Sequence, residues 1–237
     1  MTLTAIIVAA GSGSRLGGPT PKGFIRLGRK PLFLYSLEML LSHKTVAGAV
    51  LVVPKGFESR ARKIVAGSGI KKKVAIVAGG RERWQSVKNG VRAASTEWVL
   101  VHDAARPFVT KAVIKAVLDK GDGYDCVITA TPEVDTVRTC SGGRAGRIVD
   151  RSRLVRVGTP QLFRRRVLLK AFAAARDLPS PPTDEAALMQ RIRVPVALAA
   201  GDPANFKITT PADLAIAEAL IAYPSTRSGR AVRSSSH

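Results

Sequence analysis

The sequence predicts an α/β fold in which a doubly wound, mostly parallel sheet carries a projecting β-hairpin arm. Short apolar runs alternate with helical patterns, as in the successive β/α units of such folds. The runs are almost continuous, which is typical of parallel strands buried on both faces. The segment at about 132–158 breaks this alternation and predicts the arm. We expect one domain over 1–223 and a disordered basic tail over 224–237, where no apolar period remains.

The individual elements follow from these runs and from residues suited to helix ends. Pro31 suits a first helical position, and Thr110 can cap the helix that follows it. Thr183 is predicted to open a further helix, and Thr210 with Pro211 to open the last one. The other predicted elements are strands 4–8, 49–53, 74–78, 98–102, 126–130 and 194–199, and helices 32–42, 57–66, 82–94, 111–119 and 164–176.

The arm is predicted from two short alternating runs, 136–139 and 147–150, around the turn Ser141-Gly142-Gly143. Such a hairpin can be an extra ribbon at the edge of the sheet. It can equally be an arm that reaches a partner subunit. The sequence leaves both interpretations open.

The composition limits the class of protein. The chain has 237 residues and a formal net charge of +21, a balance that usually indicates a polyanionic partner. The basic residues are spread along the chain, however, and aromatic residues make up only 5%. This argues against a stacking platform for single strands, and we expect no specific nucleic-acid partner.

No segment indicates a membrane or an export signal. The first ten residues are apolar but lack a basic start, so they predict a buried strand rather than a signal peptide. No apolar run approaches membrane-spanning length. Cys126 and Cys140 lack metal-ligand spacing, and we expect reduced thiols in a cytoplasmic protein.

A glycine-rich loop follows the first predicted strand. Gly11 and Gly13 let the backbone approach a ligand closely, and successive N–H groups in such a turn bind anions. Arg15 and Lys22 add two positive charges that suit phosphate oxygens. This order predicts a nucleotide triphosphate site at the carboxyl end of the strand. The alternative is a tight strand-to-helix turn without a ligand.

The loop matches neither of the two common phosphate-binding motifs. A dinucleotide fingerprint starting at Gly11 needs glycine where the chain has Leu16. A P-loop needs lysine where Phe24 follows Gly23. The nucleotide prediction therefore depends on the cations that follow the glycines.

Asp103 directly follows the predicted strand 98–102, and carboxyl ends of strands are where open α/β sheets bind ligands. Asp103 can hold Mg²⁺, which takes few protein carboxylates and keeps waters and phosphates. The alternative for Asp103 is a helix cap or a turn. His102 is expected to be a packing residue, since the other histidines form no metal-ligand pattern with it.

Several motifs, in order, are similar to those of one enzyme family. They are Ala9 to Arg15, Pro21-Lys22, Gly79-Gly80 with Arg83 and Ser86-Val87, Val101 to Pro107, Asp135-Thr136-Val137, Val149-Asp150-Arg151, Thr159-Pro160-Gln161, Thr183-Asp184-Glu185, and Asn205 to Thr209. From about Thr4 to Ile221 the chain resembles the 2-C-methyl-D-erythritol 4-phosphate cytidylyltransferases, which use CTP in the non-mevalonate isoprenoid pathway. The resemblance implies a Rossmann-like nucleotidyltransferase fold.

The resemblance also implies an activity and a role for each site residue. The enzyme would transfer a cytidylyl group from CTP to 2-C-methyl-D-erythritol 4-phosphate, with Mg²⁺ as cofactor, giving 4-diphosphocytidyl-2-C-methyl-D-erythritol and pyrophosphate. It would be a homodimer in which the 135–155 arm brings residues into the neighbouring site. The implied residues are Arg15, Lys22, Arg151 and Lys207 for catalysis; Ala9, Ala10, Gly11, Gly13, Gly80, Ser86 and Ala104 for the nucleotide; Arg106, Thr136, Thr159 and Thr183 for the acceptor; and Asp103 for the metal.

The residue types suit a reaction that needs no general base. The nucleophile would be the acceptor's own phosphate, which is largely dianionic at neutral pH because its second pKa is about 6. The difficulty is to bring two highly charged anions together. Positioning and charge neutralisation would therefore carry the reaction.

Two rival interpretations remain open. A cytidylyltransferase for another polyol phosphate, such as ribitol 5-phosphate, would share the nucleotide loop, although Thr136, Arg151 and Thr159 favour the erythritol enzyme. A basic nucleic-acid-binding protein on a similar scaffold is supported by the net charge and the arginine-rich tail. Some relatives carry an acid where this chain has Arg81, so no role is transferred to it. We expect no second enzyme domain after Tyr223.

Overall fold

The computed structural model describes residues 1–175 and 184–223. Within these ranges the strands are β1 (Leu3–Val8), β2 (Arg26–Leu27), β3 (Lys30–Pro31), β4 (Val46–Val53), β5 (Lys73–Ala78), β6 (Trp98–Asp103), β7 (Cys126–Pro132), β8 (Val137–Ser141), β9 (Arg144–Val149), β10 (Val155–Arg164) and β11 (Ala197–Ala200). The α-helices are α1 (Leu32–Leu41), α2 (Glu58–Ala66), α3 (Arg83–Ala93), α4 (Lys111–Lys120), α5 (Arg165–Ala174), α6 (Glu185–Arg191) and α7 (Pro211–Ala222). Short 3₁₀ helices cover Ser14–Leu16, Lys22–Phe24 and Arg151–Arg153.

The central sheet has the strand order β11-β7-β10-β6-β1-β4-β5 among the described residues. β1 pairs in parallel with β4 and β6, β4 with β5, and β7 with β11. Of the described strands in this sheet, β10 is the one that runs antiparallel to its neighbours, β6 and β7. The predicted fold class, a mostly parallel α/β sheet, is confirmed, and β8 with β9 forms the predicted hairpin.

Each face of the sheet buries its own apolar core, which explains the continuous apolar run of β1. Ile7 packs on one face with Leu37 of α1 and Ile114 of α4. Ile6 packs on the other face with Val91 of α3. Because both faces are covered by helices, the carboxyl ends of the central strands are the open edge where a ligand can enter.

The strand β10 is not predicted from the sequence. Its first part is polar or solvent-exposed, and its pairing with β7 shifts register between Gly158 and Gln161, so no continuous apolar run marks it. Since β10 begins at Val155, residues 155–158 of the predicted arm belong to the central sheet. The hairpin itself ends at Val149.

The helix starts agree in part with the predictions. Thr110 caps α4, and Thr210 caps α7 with Pro211 as its first residue, as predicted. Pro31 lies one residue before α1 rather than inside it. Asp184 caps α6 by accepting from the Ala187 N–H.

Two predictions fall on parts of the chain that the structure does not describe. Thr183, the predicted opener of α6, and the predicted tail 224–237 lie outside the described residues. Within the described ranges, no helix has the length and apolar character needed to cross a membrane.

Candidate active site

A cleft of about 390 Å³ opens at the carboxyl ends of β1 and β6. It brings together every residue predicted to bind the nucleotide, with the predicted metal ligand and three of the predicted catalytic residues. The predicted residues that line it are Ala9, Ala10, Gly11, Gly13, Arg15, Lys22, Gly80, Ser86, Asp103, Ala104 and Lys207. Segments far apart in the sequence therefore converge on one concave surface at the open edge of the sheet.

The glycine loop folds directly onto Lys22. The Lys22 N–H donates to the Gly11 carbonyl at 3.2 Å. Gly13 has a φ of +75°, and a Cβ there would lie 2.9 Å from the Cβ of Lys22. A Cβ on Gly23 would lie only 2.8 Å from that of Ala9. Both glycines are needed because the backbone segments touch, and this close approach holds Lys22 over the loop.

Two of the predicted nucleotide-binding residues use their N–H groups within the sheet. The Ala9 N–H donates to the Val52 carbonyl at 2.8 Å, and the Ala104 N–H donates to the Val8 carbonyl at 3.1 Å. These bonds tie the ends of β1 and β6 to their neighbours. Ala9 and Ala104 therefore shape the cleft with their side chains rather than offering these donors to a ligand.

The start of α3 forms one end of the cleft. The Gly80 N–H donates to Ser86 Oγ at 3.1 Å, and Ser86 Oγ donates to the Glu82 carbonyl at 3.2 Å. A Cβ on Gly79 would lie 2.4 Å from the Cβ of Ala10. Gly79 thus lets this turn lie directly against the nucleotide loop, and Gly80 and Ser86 border the cleft.

Two partly exposed cations, Arg83 and Lys207, flank the buried carboxylate of Asp103. Its Oδ1 accepts from Arg83 Nε at 3.0 Å, and its Oδ2 lies 2.7 Å from Lys207 Nζ. Arg83 Nη1 also donates to both oxygens of Glu185, a fully buried carboxylate. Burial alone raises the pKa of Asp103, but Arg83 and Lys207 more than offset this and hold that pKa well below its usual range. Asp103 is therefore ionised at neutral pH.

Lys22 has an unusual protonation equilibrium. Burial lowers its pKa to about 8, and repulsion by Lys207 and Arg15 adds to this effect. The cleft thus concentrates cations that are costly to hold together without an anion. A polyphosphate would relieve this repulsion, because its charge is opposite and its oxygens accept hydrogen bonds from each cation.

Arg106 and Lys207 also line a second cleft, of about 320 Å³, beside the first. Lys207 belongs to both clefts. Arg106 Nη1 donates to the Asn205 carbonyl at 2.9 Å, whereas its Nε is buried without a hydrogen-bond partner among the described residues. The second cleft therefore places the Arg106 guanidinium and the Lys207 ammonium next to the nucleotide site.

Thr159, predicted to bind the acceptor, is buried behind Asp103. Its Oγ1 accepts from the Asp103 N–H at 3.1 Å and lies 3.1 Å from His102 Nδ1. His102 Nε2 lies 3.0 Å from the Arg106 carbonyl, which only accepts, so Nε2 carries the proton and Nδ1 accepts from Thr159. Burial lowers the pKa of His102 to about 4. His102 is neutral, and it braces the end of β6 as a packing residue.

The other predicted acceptor groups lie elsewhere. Thr136 and Arg151 are exposed on the arm and do not line either cleft of the described chain. Arg151 Nη1 donates to the Val134 carbonyl. Thr183 lies outside the described residues. The sequence alone predicts no role for Arg83 and Glu185, although both lie in the family motifs. Their opposite charges are the signal that could have predicted this ion pair.

The mostly parallel sheet, the glycine loop and the cation-lined cleft define a nucleotide-binding α/β protein of the nucleotidyltransferase type. A family model described as 2-C-methyl-D-erythritol 4-phosphate cytidylyltransferase matches residues 3–223. The chain belongs to this family, and the resemblance inferred from the sequence is confirmed.

Individual relatives agree over nearly the whole match. The chain is 38% identical over 223 residues to the 2-C-methyl-D-erythritol 4-phosphate cytidylyltransferase of Geobacillus kaustophilus, covering 94% of this chain and 98% of the relative. It is 41% identical to a bifunctional enzyme IspD/IspF of Anaeromyxobacter dehalogenans, covering 92% of this chain and 57% of the relative. The crystal structure of the cytidylyltransferase from Thermus thermophilus matches with a TM-score of 0.77 at 33% identity, covering 93% of this chain and 98% of that one.

Proposed function

We propose that the chain transfers the cytidylyl group of CTP to 2-C-methyl-D-erythritol 4-phosphate in the cleft between β1 and β6. One observation carries the assignment of the site: the loop that bears Arg15 and Lys22 faces the Asp103–Lys207 ion pair across a single cleft. The products are 4-diphosphocytidyl-2-C-methyl-D-erythritol and pyrophosphate. The two described cysteines are free, which supports a cytoplasmic location.

In this proposal the triphosphate lies along the glycine loop. Arg15 and Lys22 neutralise the charge that builds up on the α-phosphate and on the departing pyrophosphate. The base lies at the end of the cleft that Gly80 and Ser86 border. An oxygen of the acceptor's phosphate attacks the α-phosphorus, and the bond from the α-phosphorus to the bridging oxygen of pyrophosphate breaks. No proton transfer is required, which agrees with a neutral, buried His102.

The acceptor is assigned to the second cleft. Because Lys207 lines both clefts, its ammonium can contact the acceptor's phosphate beside the α-phosphate of CTP. The Arg106 guanidinium, which lines this cleft, adds positive charge that suits the acceptor's phosphate. Thr159 acts indirectly, because its hydroxyl accepts a hydrogen bond from the Asp103 N–H and so fixes the backbone of Asp103. Thr183 remains a predicted acceptor contact.

Asp103 is the proposed Mg²⁺ ligand. The described residues contain no group of three or more His, Cys, Asp or Glu side chains that could hold a metal alone. A single ionised carboxylate fits Mg²⁺, which takes its other ligands from phosphates and water. Both Asp103 oxygens already lie in ion pairs with Arg83 and Lys207, so the ion would bind to a remaining lone pair. Bound there, Mg²⁺ would neutralise part of the triphosphate charge. We expect Asp103→Asn to raise the Mg²⁺ concentration needed for half-maximal rate. If the dependence of the rate on Mg²⁺ is unchanged, Asp103 is not a metal ligand and its role is structural.

The arm supports a homodimer. Val134 and Ile148 are 63% and 60% exposed, and Val155 and Val157 beside them are 43% and 41% exposed. An isolated hairpin is only marginally stable in water, so a surface that covers these side chains would stabilise it. A two-fold partner supplies such a surface, and it would place Arg151 of one chain in the acceptor site of the other.

The dimer is tested with two inactive variants. Lys22→Ala and Arg151→Ala are dissociated, mixed and reassociated, and the mixed dimer is isolated with two affinity tags. If Arg151 acts in trans, the mixed dimer keeps one intact site and activity returns to about half. A confirmed mixed dimer that stays inactive, from two folded parents, would exclude a shared site.

The reaction itself is tested by pyrophosphate release with CTP, UTP, GTP and ATP at a fixed acceptor concentration. We expect CTP to be strongly preferred, as membership of the cytidylyltransferase family implies. In parallel, Lys22→Ala and Arg15→Ala should each lower kcat by about 10²–10³, the usual effect of losing one group aimed at developing charge. Near-normal turnover of Lys22→Ala would reject the phosphate-binding assignment.

A further inference from the structure

Four side chains of alternating charge connect the loop before α7 to the start of α6. Lys207 Nζ lies 2.7 Å from Asp103 Oδ2, and Arg83 Nε lies 3.0 Å from Asp103 Oδ1. Arg83 Nη1 lies 2.9 and 2.7 Å from the two oxygens of Glu185. One guanidinium therefore joins two carboxylates that lie on different elements, β6 and α6.

The two carboxylates place different demands on Arg83. The Glu185 side chain is fully buried, whereas Asp103 lies at the edge of the nucleotide cleft. A buried carboxylate without a counter-charge is strongly destabilising, so Glu185 holds the guanidinium firmly in place. The planar fork of arginine then presents Nε to Asp103 at a fixed angle, which a lysine ammonium does not do.

We infer that Arg83 is a positioning residue for the transfer reaction: its Nε orients the Asp103 carboxylate, and through it Lys207, while Glu185 anchors Arg83. This inference rests on the proposed roles of Asp103 and Lys207. With Nε removed, the carboxylate is free to rotate toward Lys207 alone, and the ammonium moves with it. Misplacement of about 1 Å at a reacting group can lower a rate about 10²-fold.

A purely structural role for Arg83 makes a different prediction. In that case Arg83 would only neutralise Glu185, and removing both charges together would restore stability and activity alike. If Arg83 orients Asp103, removing both charges restores stability but leaves the rate low. The double variant Arg83→Gln with Glu185→Gln therefore separates the two roles.

The experiment compares Arg83→Gln, Glu185→Gln and the double variant by thermal unfolding and by steady-state pyrophosphate release from CTP and 2-C-methyl-D-erythritol 4-phosphate. We expect Arg83→Gln to lower Tm and the double variant to recover most of the loss, as a buried pair removed together. In the double variant kcat should remain lower by about 10-fold or more, with KM for CTP changed less than about threefold. Glu185→Gln alone removes the anchor but leaves Arg83 beside Asp103, so its kcat should lie between those of the wild-type protein and the double variant.

Wild-type kcat in a folded double variant would overturn the inference. If the double variant does not fold, Arg83→Lys is compared with and without Glu185→Gln. A lysine at position 83 is drawn to Glu185 when that residue is charged, so the Glu185→Gln background should raise kcat by freeing the ammonium for Asp103. An equal or lower kcat in that background would also overturn the inference. Absence of pyrophosphate release from the wild-type protein would instead reject the proposed reaction.

Discussion

The protonation of Lys22 should limit the reaction on the alkaline side. Burial, with repulsion by Lys207 and Arg15, lowers the pKa of Lys22 to about 8. The protonated form is the one that binds phosphate, so kcat/KM for CTP should be constant below this pKa and decline above it. A single group with this pKa is about nine-tenths protonated at pH 7 and about one-tenth protonated at pH 9, which predicts a decrease of about tenfold.

The assay is pyrophosphate release between pH 6.5 and 9.5, with CTP below its KM and the acceptor saturating. Two variants identify the titrating group. The quantity compared is the pH at which kcat/KM decreases, not the absolute rate. Lys207→Gln removes one of the causes of the low pKa, so the decline should move to higher pH. Lys22→Arg should show no such decline, since arginine does not deprotonate in this range. A wild-type profile that stays flat to pH 9.5, or a decline that persists in Lys22→Arg, would refute this assignment.

Three further predictions concern the scaffold. Gly90→Ala should destabilise the protein by about 1–3 kcal/mol, because a Cβ at position 90 would lie 2.5 Å from Ile6 Cγ2. The control Gly67→Ala should leave Tm nearly unchanged, because the nearest atom to a Cβ at position 67 lies 3.6 Å away. Burial lowers the pKa of His102 to about 4. As the pH falls, the unfolded chain therefore binds a proton on His102 before the folded chain does, and the free energy of unfolding decreases from about pH 6.5 toward pH 4. In urea titrations His102→Asn should remove up to about 3 kcal/mol of that pH dependence, and an unchanged dependence would contradict a buried neutral ring. Cys126, whose pKa burial raises to about 12, should react with a thiol reagent only after unfolding, and rapid labelling of the native protein would contradict its burial.

Most of the sheet could be predicted because its central strands are buried on both faces. β1, β4 and β6 therefore appear in the sequence as continuous apolar runs that need no tertiary information. β10 could not be predicted in this way. Its exposed first part and the register shift before Gln161 interrupt the apolar pattern, so only the three-dimensional pairing with β6 and β7 defines it.

Some residues of the candidate site could be predicted to meet from the sequence, and others could not. Gly11, Gly13 and Lys22 lie close together in the chain, and a local loop sequence is enough to predict that they meet. Arg83 and Glu185 are separated by about a hundred residues and meet only because α3 and α6 cover the same face of the sheet. The roles of Thr136, Arg151 and Thr183 remain predictions.

The choice of acceptor in the CTP reaction tests the proposed function most directly. Pyrophosphate release is measured with CTP and either 2-C-methyl-D-erythritol 4-phosphate, ribitol 5-phosphate or no acceptor, and the nucleotide product is identified by phosphorus NMR. We expect one pyrophosphate per molecule of 4-diphosphocytidyl-2-C-methyl-D-erythritol formed with the first acceptor, and little release with the others. Faster turnover with ribitol 5-phosphate, or pyrophosphate released without any acceptor, would contradict the proposed function.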